Sequence, residues 1–228
     1  VFMVAGIYFM KDFLLFIFTK LLISIKNKRT LSLLFVFSAA FLSAFLDALT
    51  VMAVLIAVAV GFYNVYKSVA EKEEGFAESS EDFVTFKSFL RNLLMHGAVG
   101  TALGGVSTTV GEPQNLLIAS VADWSFIEFF IKMLPISFPV FIAGLITCYL
   151  IERFSLFSFG TQLPDHIRQI LYDFDRKASS ERSKSQNVKI ITQALVAVIL
   201  VFSLAFGLAA VGLIGLMIIV LLTAFNAV

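Results

Sequence analysis

Asp47 is the only formally charged side chain between Leu31 and Tyr66, in the run FLSAFLDALTVMAVL. An ionised carboxylate at mid-bilayer depth costs at least ~2.5–3.5 kcal/mol on the most lenient insertion scale, so intramembrane acids mark cation or proton paths. Ser43 and Thr50 flank it and add hydroxyl oxygens. A second polar group interrupts another apolar stretch at 104–116, GGVSTTVGEPQNL. Here Ser107, Thr108, Thr109 and Asn115 are oxygen ligands suited to a hard cation such as sodium, while Gly104, Gly105, Gly111 and Pro113 work against a continuous helix. Glu112 is the only formal charge between Asn92 and Ala122. Three roles stay open for it: cation ligand, proton carrier, or structural partner of a positive charge such as Arg91. His96, in LLMHGAV, reads as a hydrogen-bonded packing residue sooner than as a proton relay.

Backbone that leaves a helix at membrane depth is tolerated only where protein buries it or a watery cavity receives it. Broken helices of secondary transporters use such places to set carbonyls and helix ends around ions. A plain kink needs one proline or a small pair, not thirteen residues of polar punctuation. The expectation is therefore a helix that breaks between Gly104 and Asn115.

The elements that must position these groups are membrane helices. The chain of 228 residues is 59% apolar with 26 Phe, and its charges fall in clusters between uncharged runs. With a mean hydropathy of +0.95, this is an all-α polytopic membrane protein whose surroundings are the lipid bilayer. A net charge of +1, confined to loops, gives no nucleic-acid reading. Cys148 is the only cysteine and lies in an apolar run, so there is no disulfide framework and no metal-ligand spacing. No cofactor is called for. The opening VFMVAGIYFM has no initiating Met and the final FNAV stops inside an apolar run, as expected of a piece of a longer protein.

Along the chain, residues 1–10 read as the end of a spanning helix, and KDFLLFIFTKLLISIKNKR as a short amphipathic or interfacial helix. After the apolar stretch 31–66 comes a solvated loop, KSVAEKEEGFAESSEDFVTFK, then the interrupted stretch 92–122. WSFIEFFIKM reads as an interfacial helix with Trp124 at the headgroups, and 134–151 as a separate spanning helix. A polar segment, 152–189, precedes two apolar helices at about 190–210 and 211–228. Lys26, Lys28 and Arg29 in one loop and seven Lys/Arg in 152–189 put both segments in the cytoplasm. With one crossing each for 92–122 and 134–151, the stretch 31–66 must begin and end on the same side. It either makes two full crossings with Asp47 in an external turn, or dips in as a re-entrant hairpin with Asp47 at a buried tip. Limbs of 16–18 residues and a turn lacking Gly, Pro and Asn favour the tip.

SAFLDALTV and GGVSTTVGEPQNLLIA, with GIYFM, VGTALGG and AVGLIGL, closely resemble the NhaB family of bacterial sodium/proton antiporters, along essentially the whole chain. More distantly they are similar to the superfamily of divalent-anion/sodium symporters and arsenite pumps. In that superfamily each of two inverted repeats contributes a re-entrant hairpin and a discontinuous helix. Where the symporters often carry a Ser-Asn-Thr run, this chain has Asp47-Ala48-Leu49 followed by Thr50. The resemblance implies a multi-pass secondary transporter of the bacterial inner membrane that exchanges sodium, or lithium in its place, for protons in pH homeostasis. It implies that Asp47 is a required acid binding sodium or a proton in turn, and that 1–151 is a first repeat, 152–189 a cytoplasmic linker and 190–228 the start of the second half. The alternative within transport is a sodium-coupled anion symporter or an arsenite-type pump. An intramembrane protease would want a Gly-x-Ser-x-Gly-like nucleophile with a histidine in another span, or paired intramembrane aspartates, and the apolar runs hold neither. An assembly subunit would not need polar groups at two membrane depths. Oligomeric state, a homo-oligomer included, is left open.

Overall fold

The structure, a computed structural model, describes Gly6, residues 9–71 and residues 80–227. The spanning-helix end expected at 1–10 lies largely outside the described residues, as does 72–79 of the polar loop. The helices are α1 (Lys11–Ser24), α2 (Lys28–Phe45), α3 (Ala48–Ala70), α4 (Glu81–Gly105), α5 (Pro113–Ala122), α6 (Phe126–Phe154), α7 (Asp165–Glu181), α8 (Lys184–Ala205) and α9 (Val211–Ala224). Four of them, α2, α3, α6 and α8, are long and apolar enough to cross a membrane.

Three segments differ from the expectation. The interfacial helix at 124–133 and the spanning helix at 134–151 are one helix, α6, which starts from a Ser125/Glu128 capping box and runs through Pro135 and Pro139. Each proline removes one backbone donor, and in a 29-residue apolar helix the remaining ladder carries the chain through. In the polar stretch, Phe83, Phe86, Phe89, Leu90 and Leu93 recur at helical spacing and are buried, so residues from Glu81 onward belong to α4. The acidic letters around them hide that stripe. The segment 152–189 is not slack chain, since it carries the amphipathic α7. Ile167 and Leu171 are buried, each stabilising the packing by ~1.5–3 kcal/mol. Arg168 donates to the carbonyls of Ile25 (3.0 Å) and Lys26 (3.3 Å), just past the end of α1, and Lys20 of α1 pairs with Asp175.

Both basic segments sit at one end of the bundle, here called the foot. Asn27 caps α2 there, accepting from Arg29 N at 3.0 Å and Thr30 N at 3.3 Å. Asn92 of α4 donates to Ser158 O just after α6 (2.8 Å), and Tyr66 near the end of α3 meets Phe83 and Phe86 at the start of α4. Thus α2 and α3 form a helical hairpin with both ends at the foot and a turn at Leu46–Asp47 far from it. Its first limb, 18 residues, is within the 16–18 expected, and its second, 23 residues, is longer. At 1.5 Å per residue they span about 27 and 34 Å, so length alone does not separate a re-entrant hairpin from two crossings.

The hairpin holds α4 at close range. A Cβ at Gly100 would fall on the carbonyl of Val36 and one at Gly104 on the carbonyl of Ala40, so only glycine lets α4 lie this near α2. Gly100 and Gly104 form the small-xxx-small spacing that brings membrane helices together where apolar burial gives no net drive. This contact delivers the end of α4 to the turn of the hairpin.

Candidate ion site at the hairpin tip

Leu46 closes α2 with a bond from its N–H to Leu42 O (2.7 Å), and Asp47 opens α3 as its N-cap. Asp47 is 5% exposed, and its Oδ2 accepts from Thr50 N at 3.0 Å and Thr50 Oγ1 at 3.1 Å. The N-terminal dipole of α3 and these two bonds offset part of the cost of burying the carboxylate. Oδ1 has no hydrogen-bond partner among the described residues.

The break in the second apolar stretch meets this turn. α4 stops at Gly105, residues 106–112 are turns, and α5 starts with Pro113 as its first residue, where the missing N–H costs nothing. Ala48 N donates to Gly111 O across 3.1 Å, joining the first residue of α3 to the break. Thr108 donates its hydroxyl to Ala44 O near the end of α2 and accepts from Val110 N (3.3 Å) and Gly111 N (3.2 Å). Asn115 Nδ2 donates to Gly105 O (3.0 Å) and Thr108 O (2.8 Å), holding the two edges of the break together. Ser43 Oγ donates to Thr101 O at 2.7 Å. Gly111 has no room for a side chain, because a Cβ there would strike the carbonyls of Ser43 and Gly105.

The structure therefore gathers Ser43, Asp47, Thr50, Thr108, Asn115, Gly105 and Gly111 where the C-terminal ends of α2 and α4 face the N-terminal ends of α3 and α5. Thr109 is also buried, and its hydroxyl has no hydrogen-bond partner among the described residues. Glu112 is half-buried beside them, with Oε1 3.1 Å and Ser43 Oγ 3.2 Å from where a Cβ of Gly105 would stand. Of the roles open to Glu112, pairing with Arg91 is not seen, and its carboxylate accepts from Gln114 instead. Ser107 turns back to Gly104 O at 2.6 Å and serves its own helix end. A cavity of about 340 Å³ lies alongside, lined by Phe45, Ser107 and Thr108 on one wall and by Phe130, Ser137 and Phe138 of α6 on the other.

Such a junction supplies what a small desolvated cation needs: one carboxylate, several hydroxyl and carbonyl oxygens, and backbone held by hydrogen bonds rather than by bulk. Hydroxyls that donate a bond keep lone pairs for a cation. A different buried group escaped the sequence reading. Glu152, read as the first residue of a polar loop, is buried at the foot with Lys28, Ser32 and His96 around it. Lys28 and Ser32 stand four apart, on one face of α2, which is the one local signal that marked them.

Compared with known proteins, the sequence matches the family described as Bacterial Na+/H+ antiporter B (NhaB) over residues 1–228. It is 59% identical to the Na(+)/H(+) antiporter NhaB of Saccharophagus degradans over all of this chain and 48% of that protein. It is 57% identical to that of Marinomonas sp., over 100% of this chain and 48% of the relative, and 55% identical to that of Yersinia enterocolitica, over 99% and 45%. The chain spans about half the length of the curated relatives it matches. No solved structure matches it. With the family match running from the first residue to the last, and relatives of this similarity carrying the same name, the chain belongs to the NhaB family of bacterial Na+/H+ antiporters.

Proposed function

We propose that the full-length protein exchanges sodium, or lithium in its place, for protons across the bacterial inner membrane, and that both ions compete for Asp47. The junction of turn and break carries this reading. A buried carboxylate with one uncommitted oxygen sits at a helix N-terminus bonded directly to a broken helix, Ala48 N to Gly111 O at 3.1 Å. The relatives' names point the same way. A bare charge is too costly to carry across the membrane, so Asp47 is re-exposed only with sodium or a proton on it, and that restriction is the coupling. Sodium finds the free oxygen of Asp47, the hydroxyl of Thr109, and the lone pairs of Ser43, Thr50 and Ser107, while Thr108, whose lone pairs accept from Val110 N and Gly111 N, fastens the break beside them. Glu112 and Asn115 border the same point.

In this reading 31–66 is a re-entrant hairpin with both ends cytoplasmic, and 92–122 is a discontinuous transmembrane helix. Two observations support it. The basic segments lie at the foot with both ends of the hairpin, and the break lies beside Phe130–Phe141 within α6, not at an end of it. Residues 1–151 then form the first of two inverted repeats, 152–189 lies in the cytoplasm, and 190–228 opens the second half. A second hairpin and broken helix complete the site.

Purified full-length protein in liposomes tests the reading. Asp47→Asn should lose coupled exchange while remaining assembled, because the amide keeps size and capping capacity but cannot ionise. Asp47→Glu should retain some exchange with a changed apparent sodium affinity. Near-wild-type coupling in Asp47→Asn would leave Asp47 a helix cap and nothing more, and Glu112 would be the next carboxylate to examine. Sodium-driven proton movement with no organic or oxyanion substrate present separates exchange from symport or arsenite pumping.

A further inference from the structure

The foot of the same helices holds a buried ionic cluster that the exchange reading does not use. Glu152 is 3% exposed. Its Oε1 accepts from Ser32 Oγ at 2.7 Å and from His96 Nε2 at 2.9 Å, and its Oε2 from Gly160 N at 3.0 Å. Lys28 Nζ stands 3.3 Å from Oε1 and 4.6 Å from the Phe89 ring centroid, buried and, among the described residues, without a hydrogen bond of good geometry. With Lys28 as counter-ion and Ser32 donating, Glu152 is the anion, so the imidazole presents Nε2–H to it. The position left for a further proton is Nδ1.

We propose that His96 is a proton-binding site of the exchanger, distinct from Asp47, an inference that rests on the antiport reading. Nδ1 takes the proton, Nε2–H stays on Glu152, and the trio of Glu152, Lys28 and His96 passes from neutral to a net charge of +1. An ion pair alone is complete with Lys28 and Glu152, and a buried pair is at best a weak source of stability. A third titratable group placed on the same oxygen calls for a role of its own. Among the described residues, Glu152 of α6 contacts the imidazole, Lys28 of α2 and Cys148 of α6 interact with that same carboxylate, and Arg91 of α4 is turned to Asn92 Oδ1 at 3.4 Å. The segment after α6 brings the ring of Phe159, 4.9 Å away. A proton on His96 therefore acts first on Lys28, whose ammonium is held by charge and by the Phe89 face rather than by a hydrogen bond. Lys28 is the first residue of α2, and His96 lies nine residues before Gly105 on α4, about 13.5 Å at 1.5 Å per residue. Proton occupancy at the foot thus bears on the two helices whose far ends build the ion site.

The test uses full-length protein in nanodiscs, with its other histidines replaced and the remaining ring isotope-labelled. The His96 ring resonances, recorded from pH ~6 to ~9 in sodium-free buffer, should shift when Nδ1 takes up its proton. In liposomes, His96→Gln keeps a donor for Glu152, so its melting temperature should match wild type, while the pH of half-maximal sodium-driven proton movement shifts by ~1 pH unit or more. A resonance that stays still across that range, or a His96→Gln profile that superimposes on wild type, overturns the proposal. If His96→Gln fails to assemble, the resonance titration alone decides. If wild-type liposomes show no exchange at all, the antiport reading fails, and the titration still judges whether His96 binds a proton.

Discussion

Asp47 and Glu152 are both buried carboxylates, 5% and 3% exposed, at opposite ends of α2, yet their oxygens are occupied differently. At the tip, Asp47 bonds, among the described residues, only to its own first turn through one oxygen, and the surrounding order comes from backbone carbonyls, two threonines and an asparagine. At the foot, Glu152 engages both oxygens with donors from α2, α4 and the segment after α6, and a cation stands beside it. A saturated carboxylate has little to offer a ligand. One with a spare oxygen, in a place where water is scarce, gains from binding a cation or a proton. Burial of an acid therefore does not by itself identify an ion site, and the unspent lone pairs do.

That contrast predicts a graded series of effects on assembly. Glu152→Ala leaves Lys28 buried without its counter-ion and should cost ~3–5 kcal/mol, seen as loss of monodisperse protein or a much lower melting temperature. Pairing Lys28→Met with Glu152→Gln should recover most of it. A Glu152→Ala protein as stable as wild type would mean that the foot is not closed as described.

Gly104→Ala drives a methyl group against the Ala40 carbonyl, and backing α4 away from α2 should cost ~1–3 kcal/mol together with exchange activity. Gly61 of α3 has open space where a Cβ would go, so Gly61→Ala should be neutral or stabilising by at most ~1 kcal/mol. Equal melting temperatures for the two variants would break the close-packing account.

Thr108→Val removes the bond to Ala44 O and strands Val110 N and Gly111 N, for an expected loss of ~1–3 kcal/mol. Thr109→Val removes a hydroxyl that bonds nothing, so stability should hold while the sodium concentration for half-maximal exchange rises. If the two variants lose stability alike, the tip is not divided into a binding hydroxyl and a fastening one. A small effect on assembly, a few tenths of a kcal/mol, is likewise expected for Asp47→Asn, because asparagine caps helices about as well as aspartate. Coincident thermal melts beside lost exchange would set the tip apart from the foot most sharply.

Membrane residence, the turn at Asp47 and the break before Pro113 were legible in the sequence, because each follows from residues within a few positions of one another. Composition decides the solvent, a lone carboxylate before Thr50 makes a cap, and glycine with proline ends a helix whatever surrounds it. Local letters misled where packing outvoted them. Pro135 and Pro139 did not divide α6, and the acidic surround of Phe83 and Phe86 did not keep them in solvent. Only the tertiary structure joined Ala48 to Gly111 and Ala44 to Thr108, across 63 and 64 positions. It alone brought Glu152 to Ser32, 120 positions away, and to His96, 56 away. Partners that far apart meet through helix packing, and the close approach of α2 and α4 at Gly100 and Gly104 is a property of two surfaces, neither of which is written in any one stretch of the chain.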